Sequence, residues 1–258
     1  MNCKPMIPAR SMSLMPKTSR AAGFGLIELM IALVIAMFII LGMVGIVVSM
    51  KGSFTTQDSL SRMQESERFA LTIFDNTVRA AGYYPNPTTI TAGSALPATA
   101  TANPDGTTFA AGQGITATTG TTNDTIDVRF QSASGDGLMN CLGDTNTSGA
   151  TTVWSNSFAV NASNQLTCTV TADGGTPGTA VVLVDNVSAV KILYGVDTDG
   201  DGSADTYLSS TDVAAKSVWP AVISAQIKIT FIDLINSTTG KPVSLPPLVH
   251  TVNLMNKP

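Results

Sequence analysis

Residues 24–50 form an almost unbroken apolar run, and its single ionisable side chain, Glu28, lies close to its start. About 20 apolar residues suffice for a helix to cross a bilayer, so the run constrains the N-terminal part of the chain to a membrane-type helix. A carboxylate at the centre of such a helix costs about 2.5–3.5 kcal/mol, so Glu28 needs a partner. The preceding leader carries Lys4, Arg10, Lys17 and Arg20 and no acid. A secretory signal shares that basic start, but its apolar region spans only about 7–15 residues and ends in a small-x-small site. This run is far longer, and Val48-Ser49-Met50-Lys51 makes a poor cleavage site. A plain anchor explains the length but gives Glu28 no purpose.

Helical periodicity continues beyond the run. Leu60, Met63, Glu67, Leu71, Phe74 and Val78 recur at three- and four-residue steps, while Ser61, Arg62, Glu65, Ser66 and Arg68 fill the other face. No proline occurs from Phe24 to Tyr84, and Gly82-Tyr83-Tyr84-Pro85 is a stop signal. The pattern predicts one helix from about Phe24 to Ala81, its first half in the bilayer and its second half laying an apolar stripe on a head domain. Gly42 and Gly45 lie mid-helix, where each costs up to about 1 kcal/mol against alanine. They suit either close helix packing or local melting during assembly.

The stretch 86–123, rich in Thr, Ala, Gly and Pro, offers little to bury and is expected to be a surface loop with at most short strands. Strand patterns follow at Thr125–Phe130, Ser157–Val160, Leu166–Val170, Val181–Val184, Val190–Val196, Val222–Ile235 and Leu248–Met255. With no second helical pattern to supply crossovers, antiparallel pairing against the helix is expected, an α+β fold.

Composition narrows the function. Without the leader's four cations the formal charge would be −8 instead of −4. An acidic chain with scattered Lys and Arg is a poor phosphate-backbone binder, so no nucleic acid is expected. Cys3 lies in the leader; Cys141 and Cys168 lie beyond the membrane segment and are expected to form a disulfide there, with two unpaired thiols as the alternative. Asp197-Thr198-Asp199-Gly200-Asp201-Gly202-Ser203-Ala204-Asp205 reads D-x-D-x-D-G-x-x-D, the spacing of a compact calcium loop with Gly202 at the turn position. Leu208 stands where an EF-hand has its bidentate Glu, which leaves Asp205 to close the shell around Ca²⁺. A solvated Asp/Gly hairpin loop is the competing reading. The one histidine, His250, assembles no catalytic set, and Gly23-x-Gly25 lacks the third glycine of a dinucleotide site, so the chain reads as a non-enzyme.

Gly23-Phe24-Gly25-Leu26-Ile27-Glu28 behind a basic leader resembles the class III signal of type IV pilins and pseudopilins. That resemblance implies cleavage by prepilin peptidase between Gly23 and Phe24, methylation of the Phe24 amine, and an assembly role for Glu28. The new amine of one subunit and Glu28 of its neighbour would neutralise each other in a filament. Arg62, Gln64-Glu65, Arg68-Phe69-Ala70 and Arg79-Ala80-Ala81-Gly82-Tyr83 resemble the helix end of PilW-type minor pilins. So do Leu193-Tyr194-Gly195-Val196-Asp197 and Thr251-Val252-Asn253-Leu254; the Thr/Ala-rich middle does not. The implied organisation is a leader (1–23), a membrane and filament-core helix (24–52) and a periplasmic head (53–258) built from the helix's second half (53–81), the loop and a β-rich region (124–258). The resemblance implies a pilin-like fold, an inner-membrane protein later carried to the cell surface, and a priming role near the pilus tip. Implied partners are prepilin peptidase, the major and other minor pilins, and a tip adhesin. Two rivals are a type II secretion pseudopilin and an anchored calcium-dependent surface-binding module. Met15 offers a shorter leader, Met15 to Gly23, that is still basic.

Overall fold

The computed structural model describes residue 23 and residues 25–238 and 241–255. Its chain divides into two units, with the break after Thr55. One helix, α1 (Leu26–Arg79), contributes to both. Up to Thr55 every described residue is exposed, large apolar side chains included. This is the one helix among the described residues long and apolar enough to cross a membrane. Gly42 and Gly45 sit within it and leave it unbroken.

From Thr56 the helix is amphipathic. Ala70, Phe74, Thr77 and Val78 are buried, and Met63, Ser66, Glu67 and Leu71 are half-buried. The stripe therefore runs through Ser66, which the periodicity places on the polar face, and Leu60 lies outside it at 43% exposure. Burial pushes the Glu67 carboxyl up. Two i,i+4 pairs, Asp58–Arg62 (3.0 Å) and Asp75–Arg79 (2.7 Å), brace the exposed side. The helix ends at Arg79, two residues before the expected Ala81. Gly82 then takes φ +74° and its N–H donates to the Arg129 carbonyl, which turns the chain onto the first sheet.

Among the described residues nine strands form two antiparallel sheets, the expected pairing. The first is a five-stranded meander of β1 (Ile115–Thr118), β2 (Thr125–Ser132), β3 (Thr152–Val160), β4 (Leu166–Ala172) and β5 (Val181–Val184). The second has the order β7-β6-β8-β9, from β6 (Val187–Val196), β7 (Thr206–Leu208), β8 (Val222–Phe231) and β9 (Leu248–Asn253). β1 falls in the stretch expected to hold at most short strands, and β7 was not foreseen; at four and three residues both are too short to show a period. One apolar core joins the helix stripe to the inner faces of both sheets, with Phe74 against Phe158 at 4.6 Å between ring centroids.

The Thr/Ala-rich stretch departs furthest from expectation. It contains the short helix α2 (Ala92–Ala95) and β1, and it buries Leu96 and Phe109 completely. It is held over the outer face of the first sheet, where alternation in β2 points Asp127 and Arg129. Arg129, 1% exposed, donates from Nε to the Gln113 carbonyl (2.6 Å), from Nη1 to Pro97 (2.6 Å), and from Nη2 to Ala110 (2.6 Å) and Leu96 (3.2 Å). Its guanidinium also stacks 4.6 Å from the Phe109 ring centre. Burial lowers the Arg129 pKa to about 10. A segment too polar to build its own core is thus fixed by backbone carbonyls gathered on one buried cation.

Candidate functional site

Two regions carry the residues that the sequence singles out. At the N-terminus, Gly25 starts α1: its carbonyl accepts from the N–H groups of Glu28 (3.0 Å) and Leu29 (3.2 Å). Glu28 lies in the first turn, where a carboxylate complements the positive end of the helix dipole. Gly23, Gly25 and Glu28 are all exposed. Phe24, expected to follow the cleaved bond, lies outside the described residues, as do the leader cations and Cys3.

In the head, the acidic loop joins β6 to β7, with the Asp205 N–H donating to the Val196 carbonyl (3.0 Å) to close the hairpin. Asp197 is buried at 5% exposure, and its two carboxylate oxygens accept from the N–H groups of Gly200 (2.6 Å) and Gly202 (3.0 Å). Both glycines have φ above +80°, a region that side chains other than glycine rarely adopt. Asp205 Oδ2 accepts from the Thr198 hydroxyl (2.6 Å) and N–H (2.7 Å), and these bonds hold its carboxyl below the usual range. Asp197, Asp199 and Asp205 each bring a carboxylate oxygen within 4.8 Å of the others, so the three could hold a metal ion. Asp201, expected as a fourth ligand, is not in that group. Its Oδ1 instead accepts from the Ser203 N–H (2.7 Å), which ties it to the loop's outer edge.

Cys141 and Cys168 are joined by a disulfide, with Cα atoms 6.4 Å apart and 27 residues of separation. Cys168 lies on β4, and the Cys141 N–H donates to Asn156 Oδ1 on β3 (2.8 Å), so the bond pins the β2–β3 connection to the sheet. His250, on β9, lies 3.2 Å from Asp75 Oδ1 of the helix, a surface position. Burial raises the Asp75 carboxyl, but the hydrogen bonds and charges of Arg79 and His250 outweigh it and hold the carboxyl low. This bridge, like Arg129, escaped the sequence reading, because nothing in a strand's period names the element it will face.

Two family models match the chain. Residues 146–251 match Type IV Pilus-assembly protein W, and residues 18–44 match the Prokaryotic N-terminal methylation motif. The first span holds the acidic loop and Cys168, and the second holds Gly23 and Glu28. Among curated proteins there is no match. Among solved structures, the chain is similar to a type IV-like pilin from Thermus thermophilus at 10% identity and a TM-score of 0.44, over 76% of this chain and 96% of that one. The chain thus has a stretch similar to a pilus-assembly W domain and a stretch similar to an N-terminal methylation motif. The motif implies processing by prepilin peptidase, anchoring by the apolar helix and assembly with other pilins.

Proposed function

We propose that the chain is a minor pilin of the type IV pilus, cut between Gly23 and Phe24 and built into the filament near its tip, where it helps to prime assembly. One observation carries the reading: a methylation motif at the head of an exposed membrane-type helix stands on the same chain as a W-type assembly domain. In the bilayer Glu28 has only water and headgroups to satisfy it. In a filament the amine of a neighbouring subunit can neutralise it, so assembly removes much of the cost of both buried charges. The head then lies outside the cytoplasm, where a disulfide such as Cys141–Cys168 persists.

The acidic loop adds a second property, calcium binding by Asp197, Asp199 and Asp205. Hard oxygen ligands on a glycine turn suit Ca²⁺, and convergence of three carboxylates supports the reading. With three carboxylates the protein shell is incomplete, and water or backbone carbonyls would fill it.

Deletion of the gene tests the assignment. A pilus component predicts at least a tenfold loss of surface pili and of twitching, with extracellular secretion unchanged. Normal pili with blocked secretion of folded exoproteins would move the chain to the type II pseudopilus. Normal pili and normal secretion would leave an anchored binding module.

A further inference from the structure

The outer face of the five-stranded sheet holds a second group of acids, unconnected with the β6–β7 loop. Asp127 of β2 is 1% exposed, and its neighbours in register, Thr116 and Ser157, are uncharged. Asp105 reaches it from the covering segment. A single hydroxyl bridges the two, whose carboxyls also hydrogen-bond to each other directly: Thr107 Oγ1 lies 2.7 Å from Asp105 Oδ1 and 3.2 Å from Asp127 Oδ2. Asn103 Nδ2 donates to the same hydroxyl (3.0 Å).

Proton counting decides what this arrangement needs. A threonine hydroxyl has one proton, and the shorter contact to Asp105 takes it. Asp105 also accepts from the Thr107 N–H (2.9 Å) and the Thr125 hydroxyl (2.6 Å), three donors that suit an ionised carboxylate. Asp127 has no comparable set, and its Oδ1 is buried with no hydrogen-bond partner. Were it ionised, Asp127 Oδ2 and Thr107 Oγ1 would face each other with lone pairs only, and a charged oxygen would be left unpaired in the interior. Arg129, next on that face, spends its guanidinium on four carbonyls.

We propose that Asp127 is held as a neutral acid whose proton completes a chain, Asp127 to Thr107 to Asp105, and that this chain is a pH-sensitive latch closing the segment 96–113 over the sheet. The Asp127 proton is shared between Thr107 Oγ1 and the Asp105 carboxylate beside it, and the Thr107 proton goes to Asp105 Oδ1. Burial, and then repulsion from Asp105, push the Asp127 carboxyl well above its usual range. Burial also raises Asp105, but its bonds from Thr125 and Thr107 prevail and hold it low. Loss of the Asp127 proton would set two like charges across one hydroxyl and loosen the segment. Residues 110–113 of that segment form part of the wall of a groove of about 560 Å³, opposite Trp219 and Pro220, so the latch would set the shape of that groove.

The sign follows from linkage. A carboxyl raised in the folded state contributes its full stability below the unfolded value of about 3.9 and loses it as pH climbs towards the folded value. Asp127→Asn keeps a donor towards Thr107 and cannot lose a proton. In the detergent-solubilised full chain, amide exchange of Thr99 and Phe109, corrected for its intrinsic pH dependence, should quicken at least tenfold from pH 5 to pH 9 in the wild type. It should stay flat in Asp127→Asn. Infrared spectra at neutral pH should contain a protonated-carboxyl C=O band that Asp127→Asn removes, and Thr107→Val should quicken exchange already at pH 5. Three results would overturn the latch: no such band, equal pH profiles in the two proteins, or Ca²⁺ stabilisation of an Asp199→Asn chain that Asp127→Asn abolishes. The last would mean that a cation, not a proton, joins the two acids.

Discussion

At the scale of single residues, three charges in this chain show how burial decides a side chain's task. Arg129 is a buried cation satisfied by four backbone carbonyls and the Phe109 ring. Asp127 lies on the same face with too few donors. Glu28 is exposed at the start of the helix, and in the proposed filament its partner comes from a neighbouring subunit. That difference yields a prediction. Glu28→Leu should be processed and retained in the membrane, because the apolar run is improved rather than broken. Its recovery in sheared pili should fall by tenfold or more, since removing one member of a buried ion pair costs about 3–5 kcal/mol and each 1.4 kcal/mol is about tenfold. Quantitative immunoblots of sheared fractions against whole membranes measure this; wild-type incorporation would show that Glu28 is not an assembly charge.

At the scale of elements, glycine decides two junctions. Gly82 ends the helix with a positive φ, and a Cβ at Gly114 would collide with the Gly82 backbone, so the helix end and the start of β1 can only meet as glycines. The β6–β7 loop relies on Gly200 and Gly202 in the same way, and it keeps three carboxylates close by spending backbone N–H groups on each of them. Repulsion should still leave it the loosest hairpin of its sheet without a cation. Saturating Ca²⁺ should raise the Tm of the full chain in detergent by several degrees, as about 100-fold excess over Kd contributes about 2.7 kcal/mol. Mg²⁺ should do less, given its demand for a tight octahedral shell. Asp199→Asn should abolish the difference, whereas Asp201→Asn should reduce it only slightly, because Asp201 lies outside the cluster. Calorimetric titration checks both, and no heat at millimolar Ca²⁺ would make the loop an ordinary acidic turn.

At the scale of the whole molecule, the proposed pilin needs membrane insertion, processing and a disulfide-bonded head to succeed in order. Gly23→Val should therefore leave an uncut precursor in the membrane with its head folded, whereas the mature wild type should have the intact mass of a chain starting at methylated Phe24. A mature wild-type chain that still carries the leader would refute the processing step. The sequence by itself determined the parts that depend on local chemistry. The apolar run with Glu28, the helix to near Ala81, seven of the strands and the Asp-Gly loop are legible because period, charge and turn chemistry act between close neighbours. Only the tertiary structure decided the split into two sheets, the exclusion of Asp201 from the acidic cluster, and the docking of the Thr/Ala-rich segment over the first sheet. Alternation in Thr125–Phe130 places Asp127 and Arg129 together on one face but is silent on whether water or protein covers it. The cover comes from residues 16 to 33 positions earlier, gathered by Arg129 through backbone carbonyls. Every residue but proline offers the same N–H and C=O, and all offer the carbonyl, so bonds of that kind leave no mark in the sequence.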